Sequence, residues 1–193
     1  MTKGSVMLNK SYTTKLLMIA LLASFAVSIM ATGAFSMSES ALIEQLKGLN
    51  AHQAVALANK WHWEKQPVTT HVTPQDVVFQ FENGNVKEIA LPKNKMMVAI
   101  APFINHTHKC GVHYMSSCLG ELTQTKFKVE AVDQSGTIIM NKPVTTLKNG
   151  FMELWLPRDR TIKLTISGLN RSATDVITTT DGSATCITTM QLK

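Results

Sequence analysis

The sequence predicts an α+β fold, with short helices at its N-terminal end followed by a small antiparallel β-sandwich or barrel. Two observations carry this prediction. Apolar residues recur with helical spacing over residues 36–64. After Pro67 the chain instead contains short apolar and alternating segments, separated by turns at about ten-residue spacing, as is typical of sandwiches and barrels.

Two helices are expected in the first of these regions. Ser38 or Ser40 can cap a first short helix, and Asn50 interrupts the pattern that follows. Asn50 and Gln53 have capping-box spacing, which predicts a second helix over residues 51–63. A helix this short needs tertiary contacts, so it should pack on the β region or on a second subunit. The side chains expected to be buried on it are Ala54, Val55, Leu57, Ala58 and Trp61.

The β region begins with a predicted hairpin. Residues 77–81 and 86–91 flank Asn83 and Gly84, a pair that favours a two-residue turn. A continuous apolar run then predicts a strand at residues 96–101. Further strands are expected at residues 127–132, 137–140, 151–156, 162–167, 175–180 and 186–191.

Residues 1–34 have the pattern of a secretory signal peptide. Three lysines precede an uncharged, mostly apolar stretch at residues 16–35, and small residues occur up to Ala34. The same stretch is long enough to span a bilayer as a retained helix, but its serines and threonine weaken that alternative. We expect cleavage near Ala34, export, and a mature protein without a membrane segment.

Cleavage also lowers the charge of the chain. The formal net charge of the full sequence is +6, and the loss of three lysines without any acidic residue reduces it to +3. A charge this small, without basic runs or interleaved aromatic residues, gives no reason to expect a nucleic-acid partner. Hydrolase motifs and phosphate-binding loops are absent from the sequence, so no enzyme class is indicated.

Most residues with metal-binding chemistry lie between the strands predicted at 96–101 and 127–132. Residues 106–118 contain two cysteines, three histidines and a methionine. Loops carry function more often than strands do, so this concentration indicates a binding site. The candidate metal ligands are Cys110, Cys118, Cys186, His106, His108 and His113.

The number and spacing of the cysteines narrow the range of metals that the site could hold. Export places them in an oxidising compartment, where an odd number leaves at least one thiol without an intramolecular partner. Cys118 follows Cys110 by 8 positions and precedes Cys186 by 68, which does not fit the close pairs of a structural zinc site. Three converging thiols suit Cu(I), and imidazole adds Cu(II) as a further candidate.

Plainer interpretations of the same residues stay open at this point. Cys110 and Cys118 could form an ordinary loop disulfide, and Cys186 could be a small buried apolar residue. Each candidate histidine could be an exposed loop residue that binds nothing.

Several features of the mature chain occur together in one known family. They are the cysteine spacing, the histidines before Cys110, and the segments 118–122, 150–158 and 185–192. In this combination the chain resembles the CueP family of periplasmic copper-binding proteins. The resemblance covers most of the mature chain and is most specific from Pro102 onward.

The resemblance implies an exported copper-resistance protein, not an enzyme, that sequesters Cu(I) through its three cysteines. It also implies delivery of copper to a periplasmic superoxide dismutase, and a thiol-reducing partner, because the cysteines must be reduced to hold Cu(I). Family members have an N-terminal dimerisation domain and a C-terminal domain that holds the cysteines, so the resemblance also implies a homodimer. By analogy, residues 35–95 form the helical and hairpin dimerisation region, and residues 96–193 form the β domain that binds metal.

Two other functions compete with copper binding. A periplasmic thiol–disulfide oxidoreductase or thiol-dependent copper reductase would use Cys118 for attack and Cys110 for resolution. However, the sequence has no Cys-x-x-Cys at a helix start and no other evident feature that would lower the pKa of a thiol. This argues against an enzyme of the thioredoxin type. A structural β domain with an ordinary disulfide would bind copper equally with and without its cysteines.

Overall fold

The computed structural model describes residues 37–193, so the expected signal peptide at residues 1–34 lies outside the described residues. Within the described part of the chain, no helix is both long and apolar enough to cross a membrane. Residues 37–193 form two short helices followed by three β-sheets that are mostly antiparallel. The α+β class predicted from the sequence is therefore confirmed.

Both predicted helices are present: α1 spans Glu39–Leu46 and α2 spans Ala51–Glu64. The Ser38 hydroxyl accepts a backbone N–H in the first turn of α1. At α2, the side-chain oxygen of Asn50 accepts the Gln53 N–H, and that of Gln53 accepts the Asn50 N–H, each at 3.0 Å. This capping box pairs donors that the start of a helix otherwise leaves free.

Helix α2 is amphipathic, and its apolar side is buried against β-structure of the same chain. Trp61 is 1% exposed, and its ring lies edge-on to Phe79 with the ring centroids 5.5 Å apart. Leu57, which was expected to be buried, is only partly buried at the margin of this core. Ala54, Val55 and Ala58 are buried as predicted.

The first sheet is antiparallel and has the strand order β1-β2-β3, with β1 Val68–Val72, β2 Asp76–Phe81 and β3 Val86–Ala90. The predicted hairpin joins β2 to β3, and Gly84 in its turn has a φ of 92°, which favours glycine. The sequence pattern does not predict β1, because threonines and a histidine separate its two valines. Its alternating burial emerges only when it pairs with β2.

The second sheet has the strand order β10-β4-β7, with β4 Lys95–Ile100, β7 Met152–Pro157 and β10 Cys186–Ile187. Strands β4 and β7 are antiparallel, whereas β10 is parallel to β4. Only the first two residues of the strand expected at 186–191 pair in this way. The pairing sets the start of β10 beside Ala99.

The third sheet is antiparallel, with the order β6-β5-β8-β9. Its strands are β5 Lys126–Asp133, β6 Ile138–Thr145, β8 Thr161–Gly168 and β9 Arg171–Thr178. Strand β9 begins earlier than the strand predicted at 175–180. Its first half is mostly polar and exposed, so hydrogen bonding to β8 extends the strand where hydropathy does not.

Strand β4 separates two hydrophobic cores. On one face, Met97 and Ala99 join the core formed with the helices and the first sheet. On the other face, Val98 and Ile100 join the core beneath the four-stranded sheet. Burial on both faces explains the continuous apolar run at residues 96–101. The sandwich or barrel arrangement and a domain boundary after residue 95 stay predictions.

Candidate metal centre

The loop between β4 and β5 contains five of the six candidate ligands and is tied to two distant elements. The Gly111 carbonyl accepts the N–H groups of Thr185 and Cys186, at 3.0 and 3.3 Å. The N–H of Val72, at the end of β1, donates to the His113 carbonyl at 3.0 Å. These bonds bring β10 to the loop, so the distant third cysteine reaches the other two.

Thr185 links the segments of this junction. Its buried hydroxyl donates to the Val72 carbonyl at 2.7 Å and accepts the backbone N–H of His113 at 3.1 Å. Sequence reasoning missed this residue, although its place directly before Cys186 was a signal that it lies beside a candidate ligand. Thr185 positions the backbone on which two candidate ligands are carried.

The three cysteines are free thiols and lie close together. The sulfurs of Cys110 and Cys118 are 3.7 Å apart, compared with about 2 Å in a disulfide. The ligand atoms of Cys118, Cys186 and His113 lie within 4.8 Å of one another. Cys186 is 1% exposed and Cys118 is 8% exposed, whereas Cys110 is only partly buried. The cluster therefore has a buried side and a solvent side.

His113 belongs to the buried side of the cluster. It is 0% exposed, and its ring packs on Phe151 with the ring centroids 4.5 Å apart. Among the described residues, neither ring nitrogen of His113 has a hydrogen-bond partner. Buried polar atoms are almost always paired, so an imidazole of this kind beside thiols is suited to a metal ion.

His108 and His106 lie on the solvent side. The ligand atom of His108 is within 4.8 Å of the sulfurs of Cys110 and Cys118, and its side chain is exposed. His106 is also exposed but belongs to neither group of ligand atoms. The two histidines line a shallow cavity of about 340 Å³ together with Glu121.

The thiols differ in pKa because they share hydrogen bonds. The pKa of Cys118 is lowered to about 3, first by a hydrogen bond from Cys186 and then by the nearby ring of His113 and by the Tyr114 N–H. The same hydrogen bond, together with burial, raises the pKa of Cys186. Burial raises the pKa of Cys110. Cys118 is therefore the thiolate of the cluster.

The low pKa of Cys118 corrects an expectation from the sequence. No Cys-x-x-Cys motif at a helix start is needed here, because the groups that stabilise the thiolate come from the loop and from β10. Tyr114 is four positions before Cys118 and donates its N–H to the sulfur at 3.4 Å, a contact made by the local turn. The contribution of Cys186 depends on tertiary structure and has no local signal.

Glu121 holds the start of the same loop. Its carboxylate accepts the backbone N–H of Ile104 at 2.6 Å and that of Asn105 at 3.0 Å. These hydrogen bonds lower the pKa of Glu121 to about 2. A carboxylate engaged in this way acts as an anchor for the loop that carries His106 and His108.

A second acidic residue, Glu153, lies on the same face of the second sheet as Cys186. Glu153 in β7 pairs with Ala99 in β4, which in turn pairs with Cys186, so the three residues form one row across the sheet. Burial raises the pKa of Glu153, and Asn59 of α2 donates to its carboxylate at 2.7 Å. The signal that sequence reasoning overlooked is an acid within an otherwise apolar strand.

The donor set fits a soft metal ion. Thiolate sulfur favours Cu(I), and imidazole is compatible with it and with Cu(II). Mg²⁺ and Ca²⁺ prefer oxygen ligands, whereas this cluster offers sulfur and nitrogen atoms. The fold and the cluster together define an α+β protein with a partly buried thiol–imidazole centre.

The chain belongs to the family described as "Periplasmic copper-binding protein CueP", whose sequence model matches residues 54–191. A solved structure titled "Crystal Structure of S.CueP" is similar over 82% of this chain and 100% of its own, with a TM-score of 0.72 and 29% sequence identity. No curated protein matches the chain. The family resemblance predicted from the sequence is therefore confirmed, and copper is the metal to which it points.

Proposed function

We propose that this protein sequesters Cu(I) in the periplasm through Cys110, Cys118 and Cys186, after export by its signal peptide. The observation that carries the proposal is the buried imidazole of His113, without a hydrogen-bond partner among the described residues, beside free thiols. His108 is proposed as a further ligand on the solvent side. His106 has the weakest support, since it lies outside both groups of ligand atoms.

The test is a competition for Cu(I) between the reduced protein and a chromophoric chelator under anaerobic conditions. We expect about one Cu(I) per chain and a loss of affinity in Cys118→Ser and in the triple Cys→Ser variant, because sulfur ligands dominate Cu(I) binding. His52→Ala is the control, since His52 is an exposed histidine on α2. Equal copper binding by the wild type and the triple Cys→Ser variant would indicate a structural β domain instead.

We also propose that bound Cu(I) is delivered to a periplasmic copper enzyme, a superoxide dismutase, after a thiol-reducing partner has kept the cysteines reduced. The partly exposed Cys110 supports this, because an incoming ligand from an acceptor can replace an accessible sulfur. Activation of a metal-free superoxide dismutase by the copper-loaded protein would test delivery. Activation no faster than with chelator-buffered Cu(I) would contradict it.

Residues 35–95 are proposed to form a homodimer. The partly buried Leu49, in the connection between the two helices, and Leu57 on α2 line an open cavity with Ala56. Such an apolar margin suits a subunit contact. We expect Leu57→Glu to convert a dimer into a monomer in sedimentation experiments. Glu64→Lys, at an exposed position of the same helix that does not line this cavity, should have a smaller effect. A monomeric wild type would remove this proposal without affecting copper binding.

Thiol-dependent reduction of Cu(II) is a second candidate function, favoured by the 3.7 Å separation of the Cys110 and Cys118 sulfurs and by the thiolate of Cys118. In this reaction one disulfide forms between the two cysteines. The two electrons released reduce two Cu(II) ions to Cu(I), and the thiol proton of Cys110 goes to solvent. Anaerobic addition of Cu(II) should consume two thiols for every two Cu(I) formed. Unchanged thiols after Cu(I) appears would exclude it.

A further inference from the structure

The cluster contains two groups of three ligand atoms that overlap at one sulfur. His108, Cys110 and Cys118 form one group, and His113, Cys118 and Cys186 form the other. Within each group all ligand atoms lie within 4.8 Å of one another. The five side chains do not form a single group by the same distance within the described part of the chain.

We infer that one Cu(I) occupies two alternative positions that share Cys118: an outer position with His108 and Cys110, and an inner position with His113 and Cys186. This inference rests on the proposed copper binding and assigns a path to the ion. Ligands at about 2.0–2.3 Å from one metal ion lie close to 4 Å apart in a three-coordinate arrangement. Each group is near this size, so small side-chain movements suffice.

The two positions differ in exposure. Every ligand of the inner position is buried, with Cys186 at 1% and His113 at 0% exposed. The outer position contains the exposed His108 and the partly buried Cys110. Copper can therefore be exchanged with a chelator or a partner at the outer position, whereas the inner position keeps the ion from water.

The inner position also satisfies an otherwise unpaired group. Neither ring nitrogen of His113 has a hydrogen-bond partner among the described residues, and leaving such atoms buried and unpaired is unfavourable. A bound copper ion pairs one of them. His108 gains nothing comparable, because its exposed nitrogens are available to water. The inner position is therefore the more stable one, and the outer position is the route to it.

Movement between the positions needs no change of oxidation state. The bond from copper to Cys118 is kept, the bonds to His108 and Cys110 break, and bonds to His113 and Cys186 form. Cys186 loses its proton as it binds, and the released Cys110 sulfur takes up a proton, so the total charge is unchanged. One shared thiolate makes this exchange stepwise, because the ion is never without a sulfur ligand.

Two variants separate the positions, studied as reduced full-length mature protein. In His108→Ala, we expect Cu(I) affinity to stay close to that of the wild type, while transfer to a chelator such as bicinchoninate becomes several-fold slower. In His113→Ala, we expect the affinity for Cu(I) to fall by about tenfold or more, a size typical for losing a group that supports a metal site. Transfer of Cu(I) to the chelator should become faster. His52→Ala should match the wild type in both measurements.

X-ray absorption of the copper-loaded proteins provides a second readout that does not depend on rates. The wild type should show two sulfur ligands and one nitrogen ligand, and His113→Ala should keep nitrogen coordination from His108. Three sulfur ligands without nitrogen in every variant, or equal effects of both histidine substitutions, would overturn the inference. A wild type that binds no Cu(I) would instead refute the proposed function. Thermal unfolding of each metal-free variant identifies any that fails to fold.

Discussion

At the scale of single residues, Cys118 is the centre of the candidate site. It is the residue shared by both groups of ligand atoms, and it is the thiol whose pKa is lowered. Its sulfur accepts the Tyr114 N–H in a local turn, and Cys186 contributes to it from β10, 68 positions later in the sequence. A thiolate that is already formed binds a soft metal ion without first losing a proton.

The first prediction concerns this thiolate. In the reduced, metal-free protein, ultraviolet absorbance should show about one thiolate at pH values well below 8.5, the usual pKa of a free cysteine. The signal should disappear in Cys118→Ser. In Cys186→Ala the titration should move to higher pH, because the main donor to the thiolate is lost.

The sign of the pH effect on stability follows from the same shift. The pKa of Cys118 is lower in the folded than in the unfolded chain, so its ionised form favours folding above the unfolded pKa. This contribution is lost as the pH falls toward the folded value of about 3. A titration of the wild type at an ordinary thiol pKa, with no difference in Cys118→Ser, would contradict the prediction.

At the scale of elements, the site is a junction of three segments that are distant in sequence. The end of β1, the loop after β4 and the start of β10 meet at the Thr185 hydroxyl and the Gly111 carbonyl. On the other side of Cys118, the loop is packed against the turn before β7. There the Gly120 N–H donates to the Asn149 carbonyl at 2.7 Å.

The second prediction tests the junction at Thr185. Thr185→Val keeps the shape of the side chain but leaves the Val72 carbonyl and the His113 N–H without the hydroxyl, at a cost of about 1–3 kcal/mol. Urea unfolding of the metal-free protein measures this loss. Thr165→Val is the matched control, since the Thr165 hydroxyl bonds only to Thr174 on an exposed face, and should change stability by about 0.5 kcal/mol or less. Equal effects of the two substitutions would show that the junction is not stabilising.

The third prediction tests the turn packed against the loop. Gly150 has a φ of 81° and its carbonyl would lie 2.8 Å from a Cβ placed on Gly120, so the two backbones are in close contact. Gly136 has a similar φ of 84° but nothing within 4 Å of an added Cβ. Gly136→Ala should therefore cost about 1–2 kcal/mol for its backbone conformation alone.

Gly150→Ala should cost about 1–3 kcal/mol more, because the added methyl group displaces the Gly120 backbone. It should also weaken Cu(I) binding, since Gly120 lies two residues after Cys118. Denaturant unfolding and chelator competition measure the two effects. A Gly150→Ala variant as stable as Gly136→Ala would contradict the proposed close packing.

At the scale of the whole molecule, the candidate ligands belong to segments that only the folded state holds together. The parallel pairing of β10 with β4 places Cys186, and hydrogen bonds to the loop place His113. A ligand that binds this native arrangement and not the unfolded chain must stabilise the fold. Copper is therefore expected to act on the stability of the whole β region.

The fourth prediction is a copper-dependent increase in stability. At a free Cu(I) concentration of about one hundred times the dissociation constant, the free energy of unfolding should rise by about 2.7 kcal/mol. Thermal unfolding in a chelator-buffered Cu(I) series measures this shift, with Cys186→Ser as the variant in which it should be reduced. The same shift in a triple Cys→Ser variant would show that copper acts elsewhere on the protein.

Local patterns in the sequence determined much of the fold. The capping box at Asn50 and Gln53 predicted α2, and Asn83 with Gly84 predicted the hairpin. Both are interactions between residues a few positions apart, which is why they can be read without a structure. Hydrophobic periodicity likewise predicted β4 and most strands of the third sheet.

The sequence by itself also determined the chemistry of the site, since cysteines and histidines concentrated in one loop indicate a soft metal. Only the tertiary structure decided how they are arranged: which histidine is buried, which thiol is ionised, and where Cys186 lies. The physical reason is that periodicity tells which face of a strand is buried but not which distant strand it pairs with. In this protein that choice, β10 beside β4, brings Cys186 to the loop that carries the other candidate ligands.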